Sequence, residues 1–252
     1  MPVLHATDRA LLRVSGEESR DFLQGLVTND VTRIDDGPVY AAMLTPQGKY
    51  LADFIMSADG DGIVLDCAAA QTSGLSLRLG MYKLRAKVEI APDPRQVVLR
   101  WGDEAGAGIA DPRHADLGTR EYVSGLPEVT GTLEDYTGHR IALGVPSSGV
   151  DLISNDSYIL EMGFERLNGV DFRKGCYVGQ EVTARMKHKA ELKKGLARVT
   201  LDGPAEPGTE ILAGEKVAGD LRSVAGSEGL AYLRFDRTGG EMRAGDSKVT
   251  LV

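Results

Sequence analysis

"VYAAMLTPQGKYLADFIMSADGDGIVLDC", residues 39–67, decides how this chain folds. Three apolar runs of strand length are separated by Thr45-Pro46-Gln47-Gly48 and by Asp59-Gly60-Asp61-Gly62. Proline presets one turn dihedral and glycine tolerates positive φ, so both tetrapeptides read as turns and the stretch predicts a three-stranded antiparallel meander. Working outward, "VSGEESRDFLQGLVTNDV" opens as a strand and then carries Ser15 with Glu18 three residues on. That spacing predicts a capping box at the start of a helix bearing Phe22, Leu23 and Leu26 on one face. On the other side, "LSLRLGMYKLRAKVEI" predicts a helix running into a strand, followed by the strand "QVVLRW". Helices and antiparallel strands interleave without the regular alternation of a parallel sheet, which gives an α+β class. Residues 102–140 are rich in Gly, Asp and Pro and yield no clear element.

From Gly195 onward the texture changes. "GLARVTL", "TEILAG", "KVAGDLRSVA", "GLAYLRF" and "SKVTLV" are short strands divided by glycine-bearing turns, the pattern of a small antiparallel barrel. The expected division is therefore an α+β region over 1–190 and an all-β barrel over 191–252.

The chain has 252 residues, 42% hydrophobic and 26% charged, enough to bury a core without disulfide staples. Its two cysteines, Cys67 and Cys176, lie far apart and form no CxxC pair, which points to a reduced, cytoplasmic setting. The first residues show no basic segment followed by an apolar run, and no apolar stretch reaches membrane-spanning length. With 37 acidic against 29 basic residues the net charge is −8, which disfavours direct nucleic-acid binding. Residues 173–194 are locally rich in Lys and Arg, a pattern that fits a solvated helix face or a site for an anionic ligand or partner.

"FRKGCYVGQE", residues 172–181, is the stretch that carries chemistry. Glycines at 175 and 179 permit sharp backbone geometry around Cys176. Val178, Val182 and Met186 recur at intervals of four, so a helix is expected to begin near Gly179, with Lys187, His188 and Lys189 at its far end. A helix N-terminus and the nearby Lys174 both favour a thiolate, so Cys176 is expected to be accessible and more acidic than a free thiol of about 8.5. The bland alternative is a buried cysteine in a tight loop. Cys67, inside "IVLDCAAA", is assigned to the core. The four histidines form no HxH or HExxH pattern, no zinc site is indicated, and GxSxG, GxGxxG and Walker A sequences are absent.

"FRKGCYVGQE" resembles the signature of the YgfZ family, folate-binding relatives of the glycine-cleavage T protein, and is most similar to its alphaproteobacterial and mitochondrial branch. The similarity extends through "LEMGFERLNGVDF" upstream and "VTARMKHKAELKKGLARV" downstream, and to "DFLQGLVTNDV" and "LTPQGKYLADF" near the N-terminus. The resemblance implies a T-protein-like α+β region closed by a C-terminal barrel around a central funnel that takes tetrahydrofolate. It also implies a role in assembling or repairing iron–sulfur clusters, with assembly proteins or cluster-containing client enzymes as partners, tRNA-thiolating enzymes among them.

Two positions depart from T protein. Ala52 stands beside Asp53 where T protein has paired acids, and Ala142, in "RIALGVP", stands where it has a pterin-holding glutamate. Both departures predict little or no aminomethyl transfer, because a carboxylate is the natural partner of the pterin's N–H donors. The candidate site residues are then Cys176 and Lys174 for reactivity, with Asn29, Asp53, Glu161 and Arg185 lining the funnel as folate contacts. Lys174 and Arg185 are also candidates for the folate's glutamate tail. Three functions remain open at this point: a folate-dependent iron–sulfur accessory factor, an aminomethyltransferase, and a non-catalytic folate-binding or interaction module.

Overall fold

The computed structural model describes residues 1–102, 106, 108–188 and 191–252. Strands and helices are numbered in chain order. The meander is present as β3 (Val39–Leu44), β4 (Tyr50–Asp59) and β5 (Gly62–Ala68), antiparallel throughout, with Ala42 opposite Asp53 and Phe54 opposite Cys67. β2 (Arg9–Ser15) pairs with β5, and β6 (Glu89–Asp93) flanks β2, completing a five-stranded sheet in the order β3-β4-β5-β2-β6. β3, β4 and β5 read as near-continuous apolar runs because both faces of the sheet are covered there. On one face Val14, Met43, Phe54 and Leu65 pack against Leu23 of α1 (Ser19–Gln24) and Leu75 and Leu79 of α2 (Thr72–Lys83). On the other, Leu11, Tyr40, Ile55 and Val64 pack against Leu99, Trp101, Phe164 and Leu167. Alternation along each strand sends successive side chains to opposite faces, so both covers are needed to bury them.

A second, four-stranded sheet has the order β1-β7-β9-β8, formed by Val3–His5, Gln96–Arg100, Thr119–Val123 and Ile109–Ala110 respectively. After it come α3 (Leu133–Ala142), an irregular segment, and α4 (Gln180–Lys187). The remaining strands are β10 (Lys194–Leu201), β11 (Glu210–Ala213), β12 (Lys216–Ala225), β13 (Glu228–Arg234), β14 (Met242–Ala244) and β15 (Ser247–Leu251). They close into a six-stranded antiparallel barrel in the order β10-β13-β12-β11-β14-β15, filled by Val199, Leu221, Leu233 and Val249 among others.

Two expectations are corrected. The capping box of Ser15 and Glu18 does not form: Ser15 ends β2, and α1 starts at Ser19 without a side-chain cap. Glu18 instead accepts a hydrogen bond from the backbone N–H of Lys87. Gly16 makes this possible, because a Cβ there would lie 2.2 Å from the Lys87 carbonyl oxygen. A true capping box occurs in the stretch that gave no clear reading, where Thr132 and Asp135 exchange hydrogen bonds at the start of α3. On α4 the side chain that is fully buried is Thr183, with Val182 and Met186 only half-buried. Lys189 lies outside the described residues. Among those described, no helix is long and apolar enough to cross a membrane.

Candidate functional site

β4 pairs with β3 through a register shift: Met43 faces Ala52, yet Leu44 faces Tyr50, so Leu51 is an extra residue. In a regular strand, residues three apart point to opposite faces. The bulge at Leu51 puts Tyr50 and Asp53 on the same one. Asp53 is 1% exposed and accepts hydrogen bonds from the hydroxyls of Tyr50 (2.6 Å), Tyr40 (3.0 Å) and Ser148. Burial, and then the Asp53 charge, pushes both phenols well above their ordinary pKa, so they remain donors. Ala52 points the other way, into the layer beneath α2. The carboxylate missing at that position would therefore not have shared the Asp53 site.

Ser148 also lines a cavity of about 440 Å³. Arg9, Arg113, Arg120 and Arg140 line it as well, together with the ring of Tyr136. Behind the cavity wall the arginines are bridged by buried carboxylates. Arg9 donates to Asp66 at 2.7 Å, Arg120 joins Asp66 (2.6 Å) to Asp111 (2.7 Å), and Arg113 meets Asp111 at 2.8 Å. Burial alone would raise the carboxyls of Asp66 and Asp111. The neighbouring guanidiniums outweigh it and hold both below the usual carboxylate range. Arg140 pairs with Asp151 at 2.9 Å and donates to Ser223 of the barrel, whose hydroxyl donates on to Asp151. The cavity thus lies within the α+β region, with Arg140 linking its wall to the barrel, and is walled by guanidiniums held in place by carboxylates.

The four residues expected to line one funnel are not brought together. Only Asp53 approaches this cavity, through Ser148. Asn29 is 1% exposed and its amide is committed to the carbonyls of Tyr40 and Asn168, which ties the loop after α1 to residues 168–171. Glu161 opens onto a separate cleft of about 340 Å³ at the barrel seam, where it accepts the hydroxyl of Tyr232. Arg185 stands in solvent on α4, paired with Glu181 one turn earlier. Sequence reasoning missed Arg9, Asp66, Asp111, Arg113, Arg120, Arg140 and Asp151. One signal was available: Asp66 interrupts the apolar run of β5, and a carboxylate at a fully buried strand position requires a cation.

The Cys176 loop is pinned on both sides of the thiol. Lys174 is 8% exposed, and its ammonium donates to the carbonyls of Gln24 (2.8 Å), Val27 (2.6 Å) and Asn29 (2.9 Å). Burial pushes its pKa down to about 8, against the pull of Asp30 and Asp171. All three donors are taken by carbonyls, so the ammonium ties the loop to the turn after α1, and it makes no hydrogen bond to the thiol among the described residues. Lys174→Met is expected to destabilise the chain by about 1–3 kcal/mol, since three carbonyls lose their partner. Thermal unfolding followed by circular dichroism would check this, and an unchanged melting temperature would refute the tie. Tyr177 is buried, the Val178 N–H donates to the Gly25 carbonyl, and Gly179 (φ +86°) packs against the Thr45–Gly48 turn. Between these anchors Gly175 and Cys176 are exposed, while Cys67 is buried with burial raising its pKa. Among the described residues no group of three or more His, Cys, Asp or Glu is arranged to hold a metal ion.

Residues 193–252 match the family model described as the CAF17 C-terminal beta-barrel domain. The crystal structure of glycine cleavage system aminomethyltransferase T from Bartonella henselae superposes on 99% of this chain and 84% of its own, with a TM-score of 0.76 at 12% identity. That likeness establishes a T-protein-like fold. The mouse protein named "Iron-sulfur cluster assembly factor IBA57, mitochondrial" is 32% identical over 97% of this chain and 80% of its own length. Its human counterpart is 32% identical over 93% and 78%. With identity at that level spanning nearly the whole chain, the resemblance read from the Cys176 signature holds, and the chain belongs to the IBA57/YgfZ family of iron–sulfur cluster assembly factors.

Proposed function

We propose that the chain acts in iron–sulfur cluster assembly by offering the Cys176 thiolate as a ligand to a cluster carried by a partner assembly protein or client enzyme. The observation that carries this reading is the contrast within one short loop, where Lys174 and Tyr177 are anchored and buried while Cys176 between them is exposed. A fixed, accessible thiol suits ligand exchange, in which the thiol gives up its proton as sulfur binds iron. One thiolate does not hold a cluster, which ordinarily takes four, so the remaining ligands belong to the partner. A nucleic-acid role would then be indirect, through a tRNA-modifying client.

Tetrahydrofolate belongs to the same proposal as the occupant of the arginine-walled cavity. The residues present fit it: the volume lies within the range of about 300–1,000 Å³ usual for such ligands, and the guanidiniums of its wall supply cationic chemistry suited to the carboxylates of a glutamate tail. Tyr136 offers a ring face, and Asp8 supplies a carboxylate in the lining for pterin N–H donors. Ala142 ends α3 without a carboxylate to offer, so folate is bound here without aminomethyl transfer.

Two variants test the two parts. Cys176→Ser in a strain lacking the endogenous protein is expected to leave cluster-enzyme activity at the deletion level; full complementation would overturn the thiol's role. Ala69→Trp, at the cavity lining, is expected to abolish calorimetric binding of tetrahydrofolate without lowering the melting temperature. Absence of binding by the unaltered chain to every tetrahydrofolate form would remove folate from the proposal.

A further inference from the structure

Helix α2 has two apolar faces, and the chain covers only one. Leu75 and Leu79 face the sheet at 2% and 0% exposure. Leu77 and Met81, at i and i+4, stand outward at 69% and 70%, and Leu84, just past the helix end, at 88%. Tyr82 flanks them, and Leu84 is the most exposed large apolar side chain among the described residues. Leu84 also holds φ at +44° with ψ at −103°, a positive-φ conformation outside the regions that branched residues adopt. The side chain that this backbone displays stands in the open among the described residues.

The chemistry around the stripe is one-sided. Residues 72–88 contain Arg78, Lys83, Arg85 and Lys87 and no acidic residue, in a chain of net charge −8. Lys87 meets Glu17, whereas Arg78, Lys83 and Arg85 make no ion pair among the described residues. Under the N-terminal half of α2 lies a cavity of about 150 Å³, walled by Met43, Leu51, Ala52 and Leu75 with Arg78, the neighbour of Leu77 in sequence, at its edge. It is too small for a drug-sized ligand and has room for one branched or aromatic side chain.

We propose that the outer face of α2 docks an acidic, amphipathic segment of a partner protein, one apolar side chain of which seats in the cavity beside Arg78. The apolar stripe and the pocket supply anchor positions, and the arginines and lysine select carboxylates around them. A second copy of the chain is disfavoured, because it would bring two cationic helices together. A lipid surface is disfavoured because a bilayer fills no side-chain pocket.

The test selects short random peptides on the intact chain by phage display, then measures the enriched sequences by fluorescence anisotropy. Enriched peptides are expected to be net negative with apolar residues at helical spacing. They should bind roughly tenfold more weakly to Leu77→Glu/Met81→Glu and to Arg78→Glu, with affinity falling as salt rises. Leu84→Gly removes both the side chain and the strained backbone, so it should raise the melting temperature while weakening the peptides, a combination that a packing role would not produce. Failure to enrich peptides, enrichment of neutral or basic ones, or equal binding to the variants would overturn the proposal. So would flotation on phosphatidylglycerol vesicles, or a dimer in gel filtration, that the Leu77→Glu/Met81→Glu variant abolishes.

Discussion

Arg120→Met is expected to destabilise the chain by about 3–5 kcal/mol, enough to consume much of the stability of a domain this size. Arg120 is 2% exposed and is the one cation shared by two buried carboxylates, Asp66 and Asp111. Methionine fills similar space but leaves Asp66 with Arg9 alone and Asp111 with Arg113 alone. Removing one partner from a buried ionic group costs more than the group's net worth, because the remaining charge keeps its desolvation penalty. The pH response follows from the same pair. Both carboxyls titrate lower in the fold than in the unfolded chain, whose value is near 3.8. Their contribution is therefore complete above that value and fades as pH falls through the lower folded values. Without Arg120 the folded values rise, so acid unfolding should begin at higher pH. Denaturant melts at neutral pH, with an acid titration followed by circular dichroism, would check both. A loss under 1 kcal/mol with an unmoved acid transition would show that the cluster is not what holds the cavity wall.

Gly179→Ala should cost about 2–5 kcal/mol, combining left-handed strain with overpacking. Gly179 has φ +86°, and an added Cβ would lie 2.6 Å from the Thr45 carbonyl oxygen and 2.9 Å from the Leu44 side chain. The backbone can relieve that contact only by lifting the start of α4 from the 45–48 turn, and the Cys176 loop moves with it. Melting temperature and the alkylation rate of Cys176 in the folded protein should therefore change together. An unaltered alkylation rate in a destabilised variant would separate the loop's position from the helix start.

Local sequence revealed those parts of the fold whose cause is local. The meander was legible because Thr45–Gly48 and Asp59–Gly62 can hardly be anything but turns between apolar runs. The barrel was legible for the same reason, repeated at Gly203, Gly214, Gly226 and Gly245. α3 escaped notice although Thr132 and Asp135 carry a capping pattern, because glycine, aspartate and proline on its N-terminal side hid the helix. The arginine wall was not legible at all. Arg120 meets Asp66 54 residues away, across two different sheets, and nothing near either residue records the pairing. Lys174 shows a second gap. Its nearness to Cys176 in sequence gave no hint that three carbonyls from the turn after α1 claim its ammonium. Asp53 was picked out beside Ala52 where T protein has paired acids, yet the face it occupies depends on the residue count between Tyr50 and itself.

That count carries information of its own. Leu51 matters less for the side chain it contributes than for being one residue more than the ladder needs. A substitution there changes some packing beneath α2, whereas a deletion changes the phase of the strand. Removing it would carry Tyr50, with Lys49 and the turn before it, half a strand period out of step with Asp53. The carboxylate would stay buried and lose a hydroxyl donor. In the history of such a sequence this position should therefore accept other apolar side chains and almost no change in length, a constraint invisible to any comparison that scores residue identity alone.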